Sequence, residues 1–308
     1  MSAWWLKNRQ RILQLAGTIL AVVLLVVLLR ENGWDEILSA FRKIKTSDLL
    51  WVALLFSISR IAMVWRWHIL LRSGGIDIRF KDSMSLTFTG LFASNFLPST
   101  IGGDVVRLAG AMQMGFDRAV CLASIAADRL VGMVGMTMTF PIGVAHSWSL
   151  LGTTAPASFS AAAWFHRPLT FLKRTFSVFT LWLRRPGALF GSLSFTWIHM
   201  LCLFGSIYLF VDDLGSHVSF WMIAGLWSLT YFITLVPISI NGYGLQELSF
   251  TFFMSNVAGL TPAVSLSVAI LIRAFFILSS LPGALFLPSI MSAISEQKRE
   301  PSPGGNLL

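Results

Sequence analysis

Long stretches of this chain carry almost no charge, and this feature limits what it can fold into more than any other. Only 12% of its 308 residues are charged, whereas soluble proteins carry about 25%. Because a transmembrane helix needs about 20 mostly apolar residues, six stretches are predicted to be membrane spans: Ile12–Leu29, Leu49–Leu71, Ala119–Ala145, Leu189–Val211, Phe220–Val236 and Ala263–Pro288. The predicted fold class is all-α, a polytopic transmembrane helix bundle.

Two further apolar segments are too short to cross a bilayer comfortably. Ser83–Leu97 ends at a proline, with paired glycines beyond it, and Glu247–Leu260 follows a glycine-rich break at Ile238–Gln246. Apolar segments of this length are often re-entrant or interfacial. With them we predict about seven to nine membrane segments in one membrane domain, residues 1–294. The polar tail, residues 295–308, has a composition typical of disorder.

The excess of basic over acidic residues gives a net charge of +9, and the bases flank the apolar runs. That placement favours contact with anionic lipid headgroups and argues against nucleic acid as a partner. Lys7, Arg9 and Arg11 predict a cytoplasmic N-terminus in the inner (plasma) membrane. His166–Arg185 resembles a basic surface helix. It would also be cytoplasmic only if residues 146–164 cross the membrane, which the sequence leaves open.

Motifs of soluble catalysis are missing from the sequence. It has no nucleotide-binding loop, no zinc-ligand spacing and no nucleophile elbow. We therefore expect no cofactor and no metal site, and we do not expect the chain to hydrolyse ATP or to be an enzyme.

Two regions share one layout. Asn95–Arg107 and Leu235–Glu247 each contain the end of an apolar segment, a proline, a polar stretch, two glycines and a charged residue. Each is followed by a span with an arginine inside it, Arg129 or Arg273. Paired, interrupted hydrophobic segments at matching positions mark binding sites in transporters. The two halves are predicted to form a pseudo-repeat with these approximate limits: residues 49–145 and 188–288.

A broken segment at membrane depth has a physical consequence. Its backbone must be buried in protein or line a watery cavity, glycine lets a ligand approach that backbone, and a helix beginning after the break attracts anions. The predicted lipid-headgroup site therefore includes, besides Arg129 and Arg273, these residues: Gly102, Gly103, Asp104, Asn241, Gly242, Gly244 and Glu247. The alternative is that the prolines end helices at the interface and the glycines ease helix packing.

Arginines deep in the apolar runs support the same site. An arginine at the centre of a span costs about 2.5–3.5 kcal/mol even on the lenient insertion scale, so each needs a partner. The candidate partners are Asp104, Asp128 and Glu247. A bound lipid phosphate is another candidate, because the planar guanidinium group binds phosphate through two parallel hydrogen bonds. Structural ion pairing is the alternative. The secondary candidates are Arg60, Arg66, Arg107 and Asp128. Trp65–His68 is interpreted as an interfacial belt.

Four blocks of the sequence resemble a flippase-like integral membrane family. The blocks are Arg66–Gly74, Pro98–Arg107, Ser124–Gly132 and Pro237–Glu247. Its best known relatives include the N-terminal membrane half of lysylphosphatidylglycerol synthase, the multiple peptide resistance factor. The family has an arginine just before the glutamate of its last block, where this chain has Gln246. The resemblance therefore implies no role for a positive charge at that position.

The resemblance implies lipid translocation, of an anionic phospholipid or of a polyprenyl-phosphate-linked lipid. The relatives' separate aminoacyl-transfer (synthase) domain is expected to be absent. Membrane lipids with anionic headgroups are the expected partners, and a glycosyltransferase or lipid synthase is a further candidate. Two alternatives stay open. One is a membrane-embedded lipid-modifying enzyme that uses Asp104, Asp128 and Glu247 as acid–base groups. The other is a non-catalytic partner of a glycosyltransferase or synthase.

Overall fold

A computed structural model describes residues 41–97, 101–154, 185–236 and 239–288, together with the isolated positions 19, 23, 26, 27 and 39. Within these residues the chain is helical and contains no strand, so the all-α prediction is confirmed. The helices are α1 (Thr46–Ser73), α2 (Phe80–Ser94), α3 (Gly102–Gln113), α4 (Arg118–Thr154), α5 (Pro186–Asp213), α6 (Phe220–Thr234), α7 (Leu245–Asn256) and α8 (Pro262–Ser280). A short 3-10 helix, Ile240–Gly242, lies between α6 and α7.

Four helices, α1, α4, α5 and α8, are long and apolar enough to cross a membrane. The predicted span Phe220–Val236 is the shorter helix α6, of 15 residues, and it ends before Pro237, whose ring nitrogen cannot donate a helical hydrogen bond. The predicted last span is interrupted at a turn, residue 281, ahead of Pro282. The total of seven to nine segments therefore stays a prediction.

Several predicted features lie outside the described residues. They are most of the first span, the surface helix at His166–Arg185 apart from Arg185, the polar tail, and the two prolines of the breaks, Pro98 and Pro237. The open question about residues 146–164 is only partly covered, since α4 continues as a helix to Thr154.

The short helices pack as two antiparallel pairs. In the first hairpin (α2 and α3), a Cβ atom added at Gly103 would lie 2.2 Å from the carbonyl oxygen of Gly90, so the two backbones touch. In the second hairpin (α6 and α7), the rings of Trp227 and Phe250 lie 5.7 Å apart. Close backbone packing at small residues is how helices associate where apolar lipid offers little hydrophobic driving force.

The first helix of each half, α1 and α5, pack along each other. At one end Lys45 Nζ lies 3.0 Å from Asp213 Oδ1. Farther along, Ser59 Oγ lies 2.6 Å from His199 Nδ1. At the other end Arg185 donates to the carbonyl oxygen of Ser73. Residue numbers rise along α1 as they fall along α5, so the two helices are antiparallel.

Two hydrophobic cores lie at opposite ends of α1. One contains Phe56 of α1 with buried residues of α5, α6, α7 and α8. The other contains Trp67 and Leu71 of α1 with buried residues of α2, α3 and α4. The first hairpin therefore packs at the C-terminal end of α1. The second hairpin packs against α5, whose C-terminal end lies beside the N-terminal end of α1.

Candidate functional site

Five charged side chains from α1, α3 and α4 form one buried network, the charge cluster: Arg66, Asp104, Arg107, Asp128 and Arg129. Asp128 Oδ1 lies 2.6 Å from Arg66 Nε, and Asp128 Oδ2 lies 3.1 Å from Arg107 Nη1. The same Nη1 atom lies 3.2 Å from Asp104 Oδ1, and Asp104 Oδ2 lies 2.7 Å from Arg129 Nε. Charges of opposite sign therefore alternate along the network.

The charge cluster has more positive than negative charge. With all five groups ionised, three guanidinium groups face two carboxylates. Arg107 is buried, and its Nε and Nη2 atoms have no hydrogen-bond partner within the described part of the chain. A buried donor left unsatisfied costs about 1–3 kcal/mol. The guanidinium carbon lies 4.0 Å from the ring centre of Trp67, a cation–π contact that offsets part of this cost. The cluster thus offers donors and positive charge to an anion.

The cluster is open to its surroundings at Arg129. The Arg129 side chain is 43% exposed, whereas its partner Asp104 is 9% exposed. Because Arg107 and Arg129 bind the two oxygens of the same Asp104 carboxylate, the buried arginine and the exposed one are neighbours.

Local sequence explains how these groups fit together. Asp104 is in the first turn of α3, where the helix dipole favours a negative charge. Gly90 leaves room for Arg107, since a Cβ atom there would lie 2.6 Å from Arg107 Cγ. Gly132 lies against Arg66, with a potential Cβ atom 3.4 Å from Nη1.

A second arginine–carboxylate pair lies at the second break. Arg273 Nε lies 2.5 Å from Glu247 Oε1, and Glu247 Oε2 accepts a hydrogen bond of 2.8 Å from the backbone NH of Gly244. Arg273 Nη2 donates to the carbonyl oxygen of Gly242 at 3.3 Å, and its guanidinium carbon lies 4.8 Å from the ring centre of Tyr243. Arg273 therefore ties the break to α8.

The backbone of the second break has a strained residue. Asn241 has φ 48° and ψ 26°, a left-handed conformation that non-glycine residues adopt rarely. Its carbonyl oxygen lies 3.5 Å from Arg273 Nη1, so the arginine helps to hold this conformation. Gly242 and Gly244 also have positive φ, 72° and 76°, which glycine adopts at little cost.

The tips of the two hairpins touch each other. Asn241 Nδ2 lies 3.4 Å from Asn95 Oδ1, and Asn95 Nδ2 donates to Ser280 Oγ at 2.8 Å. The sequence prediction did not include Asn95 in the site, although both repeated blocks contain an asparagine. Contact between the two breaks is the relation that a shared site requires.

Arg60 lies apart from both groups of charges. No acidic side chain of the described residues lies within ion-pair distance of it; instead Nε donates to Ser279 Oγ at 2.8 Å and Nη2 to the carbonyl oxygen of Phe276 at 3.4 Å. These partners are at the C-terminal end of α8, where the helix dipole favours a cation. Neutral groups of α8 therefore satisfy this deep arginine.

One interpretation of the sequence changes in the structure. The interfacial belt at Trp65–His68 is wrong, because Arg66, Trp67 and His68 are buried and only Trp65 is substantially exposed, at 38%. Most side chains of this block therefore face neighbouring helices rather than lipid headgroups. At the first break, a Cβ atom at Gly102 would meet Leu97, and Gly103 packs against Gly90. Both glycines are therefore closely packed, and their place in the headgroup site stays a prediction.

The described ranges hold no candidate metal centre. They contain no group of three or more His, Cys, Asp or Glu side chains placed to hold a metal ion.

Three residues near the arginines were not predicted, because a sequence does not show which aromatic faces a charge. They contact the arginines or hold their partners: Trp67, Ser124 and Tyr243.

Comparison with protein families gives a match over most of the chain. Residues 14–283 match the family described as the lysylphosphatidylglycerol synthase TM region. No curated protein matches the chain.

Proposed function

Since the chain belongs to the family of the lysylphosphatidylglycerol synthase TM region, we propose that it moves a lipid with an anionic, phosphate-bearing headgroup across the membrane. The observation that carries this proposal is the excess positive charge of the cluster, together with the two unsatisfied donors of Arg107. An anionic phospholipid and a polyprenyl-phosphate-linked lipid both present the phosphate ester that these donors fit.

The argument rests on the cost of burying charge. An uncompensated cation inside a membrane protein is expensive, and such groups usually mark a substrate or ion pathway. Arginine suits this task because its planar donors match a phosphate in a two-bond geometry. An anion at the cluster would neutralise the excess charge and use the NH groups of Arg107 that have no partner among the described residues.

Each site residue has a role in this proposal. Arg129 receives the headgroup, Arg107 holds the phosphate, and Asp104 positions both arginines. Arg273 and Glu247 shape the polar backbone of the second break. All the acidic groups of the site accept from arginines, an arrangement that favours holding charge over acid–base catalysis.

The finer architecture belongs to the same proposal. The two hairpins are re-entrant segments within a bundle of about seven to nine membrane segments, and their polar tips line the headgroup path because interrupted backbone at that depth needs polar surroundings. The membrane is the inner (plasma) membrane with the N-terminus in the cytoplasm. A glycosyltransferase or lipid synthase would supply or consume the lipid.

The proposal is tested in liposomes that contain the purified protein and fluorescent lipids. Dithionite added outside destroys the fluorescence of lipids that reach the outer leaflet. The wild-type protein is expected to expose inner-leaflet phosphatidylglycerol, and Arg129→Gln is expected to slow this by about ten- to hundredfold, because losing a charge-assisted hydrogen bond costs about 1.5–3 kcal/mol.

Arg72→Gln is the matched control, because Arg72 is 59% exposed and pairs only with the exposed Asp77 among the described residues. It is expected to transport like the wild type. Undiminished transport by a folded Arg129→Gln variant, or no transport by the wild type, would contradict the proposal.

A further inference from the structure

We propose that Thr87 of α2 is a further headgroup-binding residue beside the charge cluster. Its hydroxyl group donates to a third oxygen of a phosphate that Arg107 holds by two others, so the site prefers a phosphate to a carboxylate. The inference deepens the proposed function and rests on it for the class of ligand, a lipid with a phosphate-bearing headgroup.

Arg107 has one edge of its guanidinium group without partners among the described residues. Its Nη1 atom lies 3.2 Å from Asp104 Oδ1 and 3.1 Å from Asp128 Oδ2, whereas Nε and Nη2 have no hydrogen-bond partner there. Nε and Nη2 share an edge of the planar group, and their parallel N–H bonds form the fork that binds two oxygens of one oxyanion. The two acids therefore orient the guanidinium group and leave this fork available.

The hydroxyl group of Thr87 is also buried without a partner. Thr87 is 2% exposed, and its Oγ1 atom has no hydrogen-bond partner in the described ranges. The other buried hydroxyl groups of α2 are bound, since Ser83 Oγ lies 2.9 Å from His68 Nδ1 and Thr89 donates to the carbonyl oxygen of Ser85 at 2.8 Å. A buried hydroxyl group without a hydrogen bond is costly, so the Thr87 hydroxyl is a donor in need of an acceptor.

Helix α2 places Thr87 close to the side chain of Arg107. Thr87 and Gly90 are three residues apart and lie on one face of the helix. A Cβ atom at Gly90 would lie 2.6 Å from Cγ and 2.8 Å from Cδ of Arg107, and Cδ is bonded directly to Nε. Arg107 therefore packs against α2 one helical turn, about 5.4 Å, from Thr87. A phosphate that accepts a hydrogen bond of about 2.8 Å on either side spans such a distance.

The number of oxygens decides which anion uses all three donors. A carboxylate has two oxygens, and the fork of Arg107 binds both of them. A phosphate is tetrahedral, so it offers a further oxygen outside the plane of the fork. The hydroxyl group of Thr87 therefore adds a hydrogen bond for a phosphate headgroup and none for a carboxylate.

The test measures lipid retention by native mass spectrometry of the full chain in mild detergent. Phosphatidylglycerol is compared with oleate, a lipid with a carboxylate headgroup, under mildly alkaline conditions in which oleate is ionised. Thr87→Val is expected to weaken retention of phosphatidylglycerol by about ten- to hundredfold, the loss expected for one hydrogen bond to a charged group. Retention of oleate should not change, and Thr87→Ser, which keeps the hydroxyl group, should retain both lipids like the wild type.

Thr251→Val is the matched control. Thr251 of α7 is 4% exposed, and its hydroxyl group also lacks a partner in the described part of the chain. Both valine variants should unfold at or above the wild-type temperature, because each removes a buried hydroxyl group without a partner, but Thr251→Val should retain phosphatidylglycerol normally. Unchanged retention by folded Thr87→Val, equal losses in both variants, or a lower unfolding temperature for Thr87→Val would overturn the inference.

An excess of inorganic phosphate identifies the source of the anion. Phosphatidylglycerol is expected to stay bound, whereas its displacement would assign Arg107 and Thr87 to free phosphate and overturn the headgroup as the ligand. Failure of the proposed function would look different. The wild type would then retain phosphatidylglycerol through Thr87 and move none of it in the liposome assay.

Discussion

Replacing Arg107 by methionine should separate stability from transport. The substitution removes one of three positive charges of the cluster and leaves two neutral pairs, Arg66 with Asp128 and Arg129 with Asp104. It also removes two buried donors that have no partner in the described ranges, each of which costs about 1–3 kcal/mol. The losses are two ion-pair contacts and the cation–π contact with the indole ring, the latter worth about 2 kcal/mol when desolvated.

These contributions oppose each other, so Arg107→Met should be close to neutral for folding. Replacing a buried charged group by an apolar one is neutral or stabilising by about 1–4 kcal/mol when no charge is left uncompensated. Asp128→Asn is the contrast, because it leaves Arg66 and Arg107 without their shared carboxylate. Breaking a buried pair on one side costs about 3–5 kcal/mol.

The assay is thermal unfolding in neutral detergent, followed by tryptophan fluorescence, beside the dithionite transport assay. Arg107→Met should unfold near the wild-type temperature and should fail to move phosphatidylglycerol, whereas Asp128→Asn should unfold at a clearly lower temperature. Normal transport by Arg107→Met, or destabilisation as large as that of Asp128→Asn, would refute the reasoning about excess charge.

Three further predictions concern the scaffold. Glu247→Gln leaves Arg273 without its carboxylate, which lowers the stability of the fold by about 3–5 kcal/mol. It should therefore accelerate amide hydrogen exchange in residues 239–244. Gly143→Ala places a Cβ atom 2.3 Å from a backbone oxygen of α6 and should lower the unfolding temperature, since overpacking costs about 1–3 kcal/mol. Gly187→Ala is the control, because nothing lies within 4 Å of a Cβ atom added there, and it should leave the unfolding temperature unchanged. A side-chain hydrogen bond to Asp213 on α5, together with the negative charge of Asp213, raises the pKa of Lys45 above its usual value of 10.5. A group with a raised pKa stabilises the fold below its unfolded pKa and loses that effect as pH rises through its folded pKa, so the stability gap between wild type and Lys45→Met should close above about pH 10.5.

The helices and the pairing of deep arginines were accessible from sequence. Apolar runs of the right length gave α1, α4, α5 and α8, and the cost of a buried guanidinium group required partners for Arg129 and Arg273. The acids named as candidates, Asp104 and Glu247, are the partners in the structure. A buried charge constrains its surroundings strongly enough for its partner to be predicted from the sequence.

The remaining features depend on three-dimensional relations that composition does not encode. Hydropathy cannot tell which side of a helix meets lipid, so the burial of Arg66 and Trp67 was missed. The positive φ of Asn241 brings backbone oxygens to Arg273. An asparagine before a glycine favours such a turn, but the pattern does not show which side chain the turn contacts. The contact between Asn95 and Asn241 joins residues 146 positions apart.

Retention of bound lipid tests the charge cluster as an anion site most directly. Native mass spectrometry of protein extracted in mild detergent would count phospholipids that stay bound, with phosphatidylglycerol and neutral diacylglycerol supplied in parallel. The wild-type protein should retain phosphatidylglycerol selectively, and Arg107→Met should lose that selectivity while it stays folded. Equal retention of both lipids by the wild type, or unchanged selectivity in Arg107→Met, would contradict the account.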